Sequence, residues 1–193
     1  NSLPDLNPDV EALHFGAISL IPEPAGAAFE ALALRETKNR VISLDPNIRP
    51  GFISNPAEHR ARMTRMMAIC DVLKVSDDDL DWLEPDRPHD EFVRDTLAAG
   101  TSLVVLTKGA EGAQASTKNF SISVPAQKAD VIDTVGAGDT FNAGLLTSLS
   151  EQGVLTKERL ADLQRNEVEQ ALAFAASVAA ITVSRPGADP PWR

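Results

Sequence analysis

The sequence predicts an α/β protein in which a mostly parallel central sheet is covered by helices on both faces. Short runs rich in Val, Ile and Leu, at residues 41–45 and 103–108, have the length of buried strands. Longer segments compatible with helix separate the strand-like runs, as the crossovers between parallel strands require. No internal repeat is apparent, so one domain over residues 1–193 is expected.

The predicted elements alternate along the chain. Strands are predicted at residues 14–20, 41–45, 71–75 and 103–108, followed by a hairpin at 112–116 and 120–124. Helices are predicted at residues 23–37, 56–69, 77–83, 90–99, 138–151, 156–164 and 166–184. The longest apolar run, residues 171–183, is too short to span a bilayer and is interpreted as a buried helix.

Composition narrows the classes of partner. The 193 residues are 43% hydrophobic and 24% charged, which is typical of a globular protein with a sizeable core. A net charge of -10 argues against binding to nucleic acid or to an anionic membrane, so a small-molecule ligand is expected. The single cysteine, Cys70, has apolar neighbours and is interpreted as a core residue in a reducing compartment. The first residues carry no targeting pattern, so a cytoplasmic location is expected.

One segment of the chain has the residue pattern of a catalytic or ligand-binding site. Residues 133–146 read DTVGAGDTFNAGLL and place a glycine-rich turn and a carboxylate at the start of an apolar helix. Gly136 and Gly138 allow a tight turn, and backbone N–H groups at a helix N-terminus are ready to bind an anion. Asp139 could accept a proton from an attacking hydroxyl while these amides stabilise a transferring phosphoryl group. For an isolated Gly-x-Gly-Asp, however, an acid that merely favours the helix dipole is the simpler interpretation.

Two better-known phosphate motifs do not match. A P-loop needs Gly-Lys followed by Ser or Thr, which the chain lacks, and the dinucleotide fingerprint needs a glycine where Phe141 stands. The late position of the turn in the chain also disfavours an NAD-dependent dehydrogenase.

The longer pattern Asp133-Thr-x-Gly-Ala-Gly-Asp139-x-Phe141 resembles the C-terminal signature of the PfkB (ribokinase-like) carbohydrate kinases. The resemblance implies a three-layer α/β/α fold, of which residues 1–193 form the C-terminal nucleotide-binding and catalytic portion. The N-terminal part and a small lid are then missing. It also implies that Asp139 is the catalytic base, that Gly136, Ala137, Gly138 and Asp139 form the anion hole, and that ATP donates its γ-phosphate to a sugar.

Other site residues follow from polar positions after the strands. Asn47 and Arg49 lie after residues 41–45, where a surface turn and a cleft position are equally compatible with their chemistry. Their Asp-x-Asn-x-Arg pattern resembles that of fructokinases and 2-keto-3-deoxygluconate kinases, which implies contacts with the sugar and the phosphates. Ser76 with Asp79 is close to a capping box, although Asp79 also stands where relatives contact hydrated Mg²⁺. The turn at 107–112 is similar to the family's ATP-contacting turn, although its glycines could simply shape a hairpin.

The resemblance supplies the remaining residues. Those implied to contact the nucleotide are Lys74, Ser76, Thr107, Lys108, Gly109, Glu111, Gly112, Gly136, Gly138 and Ala176. Those implied to contact metal are Asp79 for Mg²⁺, and, for a monovalent cation such as K⁺, Asp133, Val135, Thr182, Arg185 and Gly187.

The sequence thus predicts an ATP-dependent sugar kinase, with fructokinase as the first candidate and 2-keto-3-deoxygluconate kinase as the alternative. A noncatalytic nucleotide-binding module is the competing class, although it would not need the carboxylate of Asp139. Without a lid the chain alone is expected to be a poor kinase, because water would not be excluded. The complete protein could form a homodimer through the lid.

Overall fold

The computed structural model describes residues 3–191, which form a six-stranded sheet with seven α-helices around it. The strands are β1 (Ala12–Gly16), β2 (Val41–Asp45), β3 (Val72–Ser76), β4 (Leu103–Thr107), β5 (Ala113–Ser116) and β6 (Ser121–Val124). The helices are α1 (Ala25–Glu36), α2 (Pro56–Met67), α3 (Asp77–Leu83), α4 (His89–Ala99), α5 (Ala137–Glu151), α6 (Lys157–Leu160) and α7 (Arg165–Val183).

The sheet is mostly parallel, as the sequence predicts. The strands lie in the order β1 to β6; the first four run parallel, whereas β5 and β6 add the predicted antiparallel hairpin at one edge. Because β1 to β4 run parallel, their carboxyl ends lie at the same end of the sheet. The residues that follow these four strands therefore lie close to one another.

Helices cover both faces, and side chains alternate between two cores because successive strand residues point to opposite faces. On β2, Val41 joins the core that packs against α5 and α7, whereas Ile42 and Leu44 join the core on the other face. Cys70 lies in that second core, where burial raises the pKa of its thiol to about 12. The predicted α/β fold and the predicted core position of Cys70 are therefore confirmed.

Two predicted elements end four residues earlier than predicted, whereas the other bounds agree within two residues. The strand predicted at 14–20 ends at Gly16, where its pairing with β2 ends, and residues Ala17–Leu20 form a 3-10 helix instead. The helix predicted at 156–164 is the single turn of α6, Lys157–Leu160. Local apolar patterns do not reveal where strand pairing stops, so both ends depended on tertiary contacts. No helix within residues 3–191 is long and apolar enough to cross a membrane.

The contact between α5 and α7 holds the site helix in place and depends on Gly144. A Cβ added there would lie 2.5 Å from Cγ2 of Val178 and 3.0 Å from Cα of Ala175. We expect Gly144→Ala to reduce the free energy of unfolding by about 1–3 kcal/mol, because overpacking outweighs the gain in helix propensity. Gly51→Ala is the matched control, since no atom lies within 4 Å of its added Cβ. Urea denaturation measures both; equal stability of the two variants would contradict the prediction.

Candidate active site

The N-terminus of α5 forms an open turn at residues 136–139, called the anion-binding turn below because the sequence predicts that it binds phosphate. Gly136 caps the helix with a φ of 78°, in the left-handed region that favours glycine. A Cβ on Gly136 would lie 2.9 Å from Cβ of Ala188, so the approach of the C-terminal loop also requires glycine. Within residues 3–191 the backbone N–H groups of Gly136, Gly138 and Asp139 donate to no acceptor. Three unpaired donors at the positive end of a helix suit a phosphate group.

A cavity of about 620 Å³ opens in front of this turn. It is lined by Gly16, Ile18, Ser19, Asn47, Arg49, Thr134, Val135, Gly136, Gly138 and Asp139. The cavity thus lies beyond the carboxyl ends of β1 and β2, where parallel α/β sheets bind their ligands. It brings together the predicted base, two predicted substrate-binding residues, and Gly136 and Gly138 of the predicted anion hole. Ala137 does not line the cavity, and its N–H already donates to the carbonyl of Thr134 over 3.2 Å, so its predicted part in the anion hole is not supported.

Asn47 and Asp139 lie together in the cavity. The side-chain amide of Asn47 donates to Oδ1 of Asp139 over 3.4 Å, although the two residues are 92 positions apart. Asn47 has a φ of 39°, which is rare for a residue with a side chain and is held here by the surrounding loop. This hydrogen bond joins two residues that both line the cavity.

Asp79 holds that loop from beneath. Its Oδ1 accepts the backbone N–H of Ile48 over 2.6 Å, and its Oδ2 accepts the N–H of Ser76 over 3.0 Å. The Ser76 hydroxyl in turn accepts the N–H of Asp79, which completes the capping box of α3 that the sequence suggests. Asp79 is only 4% exposed. Its main visible role is to fix the segment that carries Asn47, and its contact with Mg²⁺ stays a prediction.

Asp133 joins the loop before α5 to the loop after α7. Its Oδ1 accepts the N–H of Val135 over 3.0 Å, and its Oδ2 accepts the N–H of Gly187 over 2.9 Å. These hydrogen bonds hold the carboxylate between the two loops, and its predicted contact with a monovalent cation stays a prediction. Thr182 is fully buried and its carbonyl already accepts the N–H of Arg185 over 3.1 Å. The described residues contain no cluster of three or more His, Cys, Asp or Glu side chains that could hold a metal ion.

The Asp133 contacts predict a pH dependence. The N–H donors of Val135 and Gly187 lower the pKa of Asp133 below its ordinary value of 3.8. A depressed pKa stabilises the folded state above that value, and the contribution is lost as the pH falls through the lowered pKa. We therefore expect Asp133→Ala to lower the thermal midpoint at pH 6, and the difference from the wild type to shrink toward pH 3. Asp130→Ala, which removes a carboxylate without hydrogen bonds within residues 3–191, is the control. A constant difference across the series would contradict the assignment.

The structure places several predicted nucleotide contacts away from the cavity. Lys74 is 4% exposed and paired with Asp45, so it lies beneath the anion-binding turn rather than in the cleft. Lys108 lines a second cavity of about 630 Å³ between α4 and the hairpin. Ala176 packs in the core between α5 and α7. Thr107 is the last residue of β4, and Gly109, Glu111 and Gly112 form the turn that follows. A Cβ on Gly112 would lie 2.1 Å from the carbonyl oxygen of Val124.

Four lining residues are absent from the sequence-based set: Gly16, Ile18, Ser19 and Thr134. Gly16 ends β1, so the rule that ligands gather after parallel strands could have identified it. The sequence predicts a strand over residues 14–20, which ends beyond Gly16, so the rule did not point to Gly16.

The fold and this turn define the class of protein as an α/β protein with unpaired amides at a helix N-terminus and an adjacent carboxylate. The model of the pfkB family carbohydrate kinases matches residues 3–193, and the chain belongs to this family. The chain is 55% identical over 170 residues to a fructokinase of Rhizobium leguminosarum bv. trifolii, covering 88% of this chain and 51% of the relative. It is 34% identical over 189 residues to the probable chloroplastic fructokinase-6 of Arabidopsis thaliana, covering 96% of this chain and 48% of that one.

Solved structures show the same fold. The fructokinase double mutant of Vibrio cholerae O395, determined with fructose, ADP and potassium ion, superposes with a TM-score of 0.83 at 28% identity. The match covers 96% of this chain and 58% of that chain. Aminoimidazole riboside kinase of Salmonella enterica, with its riboside and an ATP analog, gives a TM-score of 0.79 at 28% identity, covering 93% and 58%. The chain spans about half the length of the curated relatives it matches.

Proposed function

We propose that the complete protein is an ATP-dependent sugar kinase and that its substrate is fructose. The observation that carries this proposal is the juxtaposition of Asp139, held by Asn47, with the unpaired amides of the α5 turn in one cavity. The 55% identity to a fructokinase favours fructose over 2-keto-3-deoxygluconate, which remains the alternative. Residues 1–193 would be the nucleotide-binding and catalytic portion of a single kinase domain that acts in the cytoplasm.

Each residue of the site has a distinct role in the proposed phosphoryl transfer. ATP would supply the γ-phosphoryl group, and Mg²⁺ would neutralise negative charge on the phosphates. Asp139 accepts the proton of the sugar hydroxyl while the new oxygen–phosphorus bond forms and the bond between the γ-phosphorus and the ADP oxygen breaks. The amides of Gly136, Gly138 and Asp139 donate to the phosphoryl oxygens, over which negative charge is spread in the transition state. Arg49 lines the same cavity and is positioned to hold a phosphate or the sugar.

The base of the nucleotide would lie along the joined loops beside the turn. Ile132 donates its backbone N–H to the carbonyl of Val183 over 2.8 Å, which fixes the loop before α5 against the end of α7. Val131 and Ile132 are 65% and 63% exposed, and Ile181 is 40% exposed. An exposed apolar surface beside a phosphate-binding turn is a suitable contact for a flat aromatic base.

The test is phosphoryl transfer by the complete protein, with ATP and either fructose or 2-keto-3-deoxygluconate as acceptor. Formation of fructose phosphate with matching ADP release is expected. Transfer to the keto acid alone would replace the assigned substrate. ATP binding without transfer to either acceptor would favour a noncatalytic nucleotide-binding module.

A further inference from the structure

The start of α5 contacts polar side chains of the sheet. His14 and Ser43 are neighbours on β1 and β2, and Nδ1 of His14 lies 3.1 Å from the Ser43 hydroxyl. The side-chain amide of Asn142, one turn after Gly138, lies 3.1 Å from Nε2 of His14. One step further along the strands, Asp45 and Lys74 lie beneath Gly138. The period of two in strands and the near-four-residue period in helices align these polar pairs.

The Asp45–Lys74 pair is closed to solvent. Nζ of Lys74 donates to Oδ2 of Asp45 over 3.0 Å, and the two residues are 4% and 2% exposed. Oδ1 of Asp45 is buried and has no hydrogen-bond partner within the described residues. Burying two charges is costly, and an apolar pair of similar volume commonly gives equal or greater stability. A pair with one orphaned oxygen is therefore a poor means of stabilising the fold alone.

The ammonium lies directly against the anion-binding turn. A Cβ built on Gly138 would be 3.2 Å from Nζ of Lys74, so the charge sits behind the backbone of the turn whose amides face the cavity. Lys74 is buried and does not line the cavity, although Gly138 does. A positive charge in a poorly solvated site nevertheless acts over several ångströms on an anion beyond the turn.

We propose that Asp45 and Lys74 form a positioning pair for the anion-binding turn. Asp45 holds the ammonium of Lys74 beneath Gly138, where its charge strengthens the binding of nucleotide phosphates and supports the glycine turn from below. This inference rests on the proposed kinase function. The sequence predicts that Lys74 contacts the nucleotide directly. We propose instead that Lys74 acts on the nucleotide through Gly138.

The experiment compares Lys74→Met with Lys157→Met in the complete protein. Lys157 pairs with Asp71 over 2.6 Å, at the opposite end of the sheet, so its replacement removes a similar ion pair far from the turn. Calorimetric titration with ADP and with adenosine separates phosphate binding from base binding. We expect Lys74→Met to weaken ADP binding by about tenfold or more and to leave adenosine binding unchanged. Lys157→Met should change neither affinity.

Other results would overturn the proposal. Unchanged ADP affinity in Lys74→Met, or an equal loss for ADP and adenosine, would show that Lys74 has no phosphate-directed role. If Lys74→Met does not fold, the double variant Asp45→Leu, Lys74→Met removes both charges together and should show the same selective loss of ADP binding; unchanged ADP binding there would also overturn the proposal. A wild-type protein that binds ADP but phosphorylates no sugar would refute the kinase function, whereas the comparison of affinities would still test the pair.

Discussion

Replacing Asp139 by Asn is expected to reduce the kcat of the complete protein for fructose by about 10²–10⁴-fold, the usual contribution of a general base. The amide keeps the shape and the contact with Asn47, which lies 3.4 Å from the carboxylate, but it cannot accept the hydroxyl proton. The backbone N–H groups of the turn are unchanged, so ADP affinity should be retained. A coupled assay of ADP release and a calorimetric titration with ADP measure the two effects separately.

The control for this prediction is Asp78→Asn. Asp78 is likewise an acid in the first turn of a helix, but it is exposed on α3 and does not line the cavity. Asp78→Asn should retain the wild-type kcat. If Asp139→Asn retained it as well, Asp139 would be only a favourable charge at a helix N-terminus, and the proposed base would have to be another group.

Gly136→Ala is expected to weaken ADP binding by about tenfold or more, because a distortion of roughly 1–2 kcal/mol falls on the turn proposed to hold the phosphates. Its φ of 78° disfavours any residue with a Cβ. The new methyl group would also meet Cβ of Ala188 at 2.9 Å, so the C-terminal loop must move away from the turn. Titration with ADP and a thermal unfolding curve measure the two consequences.

Gly153→Ala is the control that separates the effect of backbone strain on stability from the effect of the turn's shape on ADP binding. Gly153 follows the other end of α5, has a φ of 69° and has no atom within 4 Å of an added Cβ. It should lose stability through its backbone conformation while ADP affinity stays at the wild-type value. Equal losses of ADP affinity in both variants would mean that general destabilisation, rather than the shape of the turn, controls binding.

Much of the fold could be predicted from the sequence, because the patterns that indicate its strands and turns lie in short contiguous segments. The buried runs of β2 and β4 are continuous and apolar, and the glycines around 109–112 mark the start of the hairpin. The turn at 136–139 was readable for the same reason, since its glycines, its acid and the following helix are contiguous. Family membership, now shown by the match over residues 3–193, followed from this one segment.

What the sequence determined by itself is therefore the α/β class, the order of its elements and, through the residues of the α5 turn, the family. Tertiary structure alone decided which distant side chains reach that turn. Asn47 meets Asp139, whereas Lys74 points beneath Gly138 and Lys108 lines another cavity. The physical reason is that strand register and the two-residue alternation of side chains assign each residue to one face, and that assignment depends on partners far away in the chain.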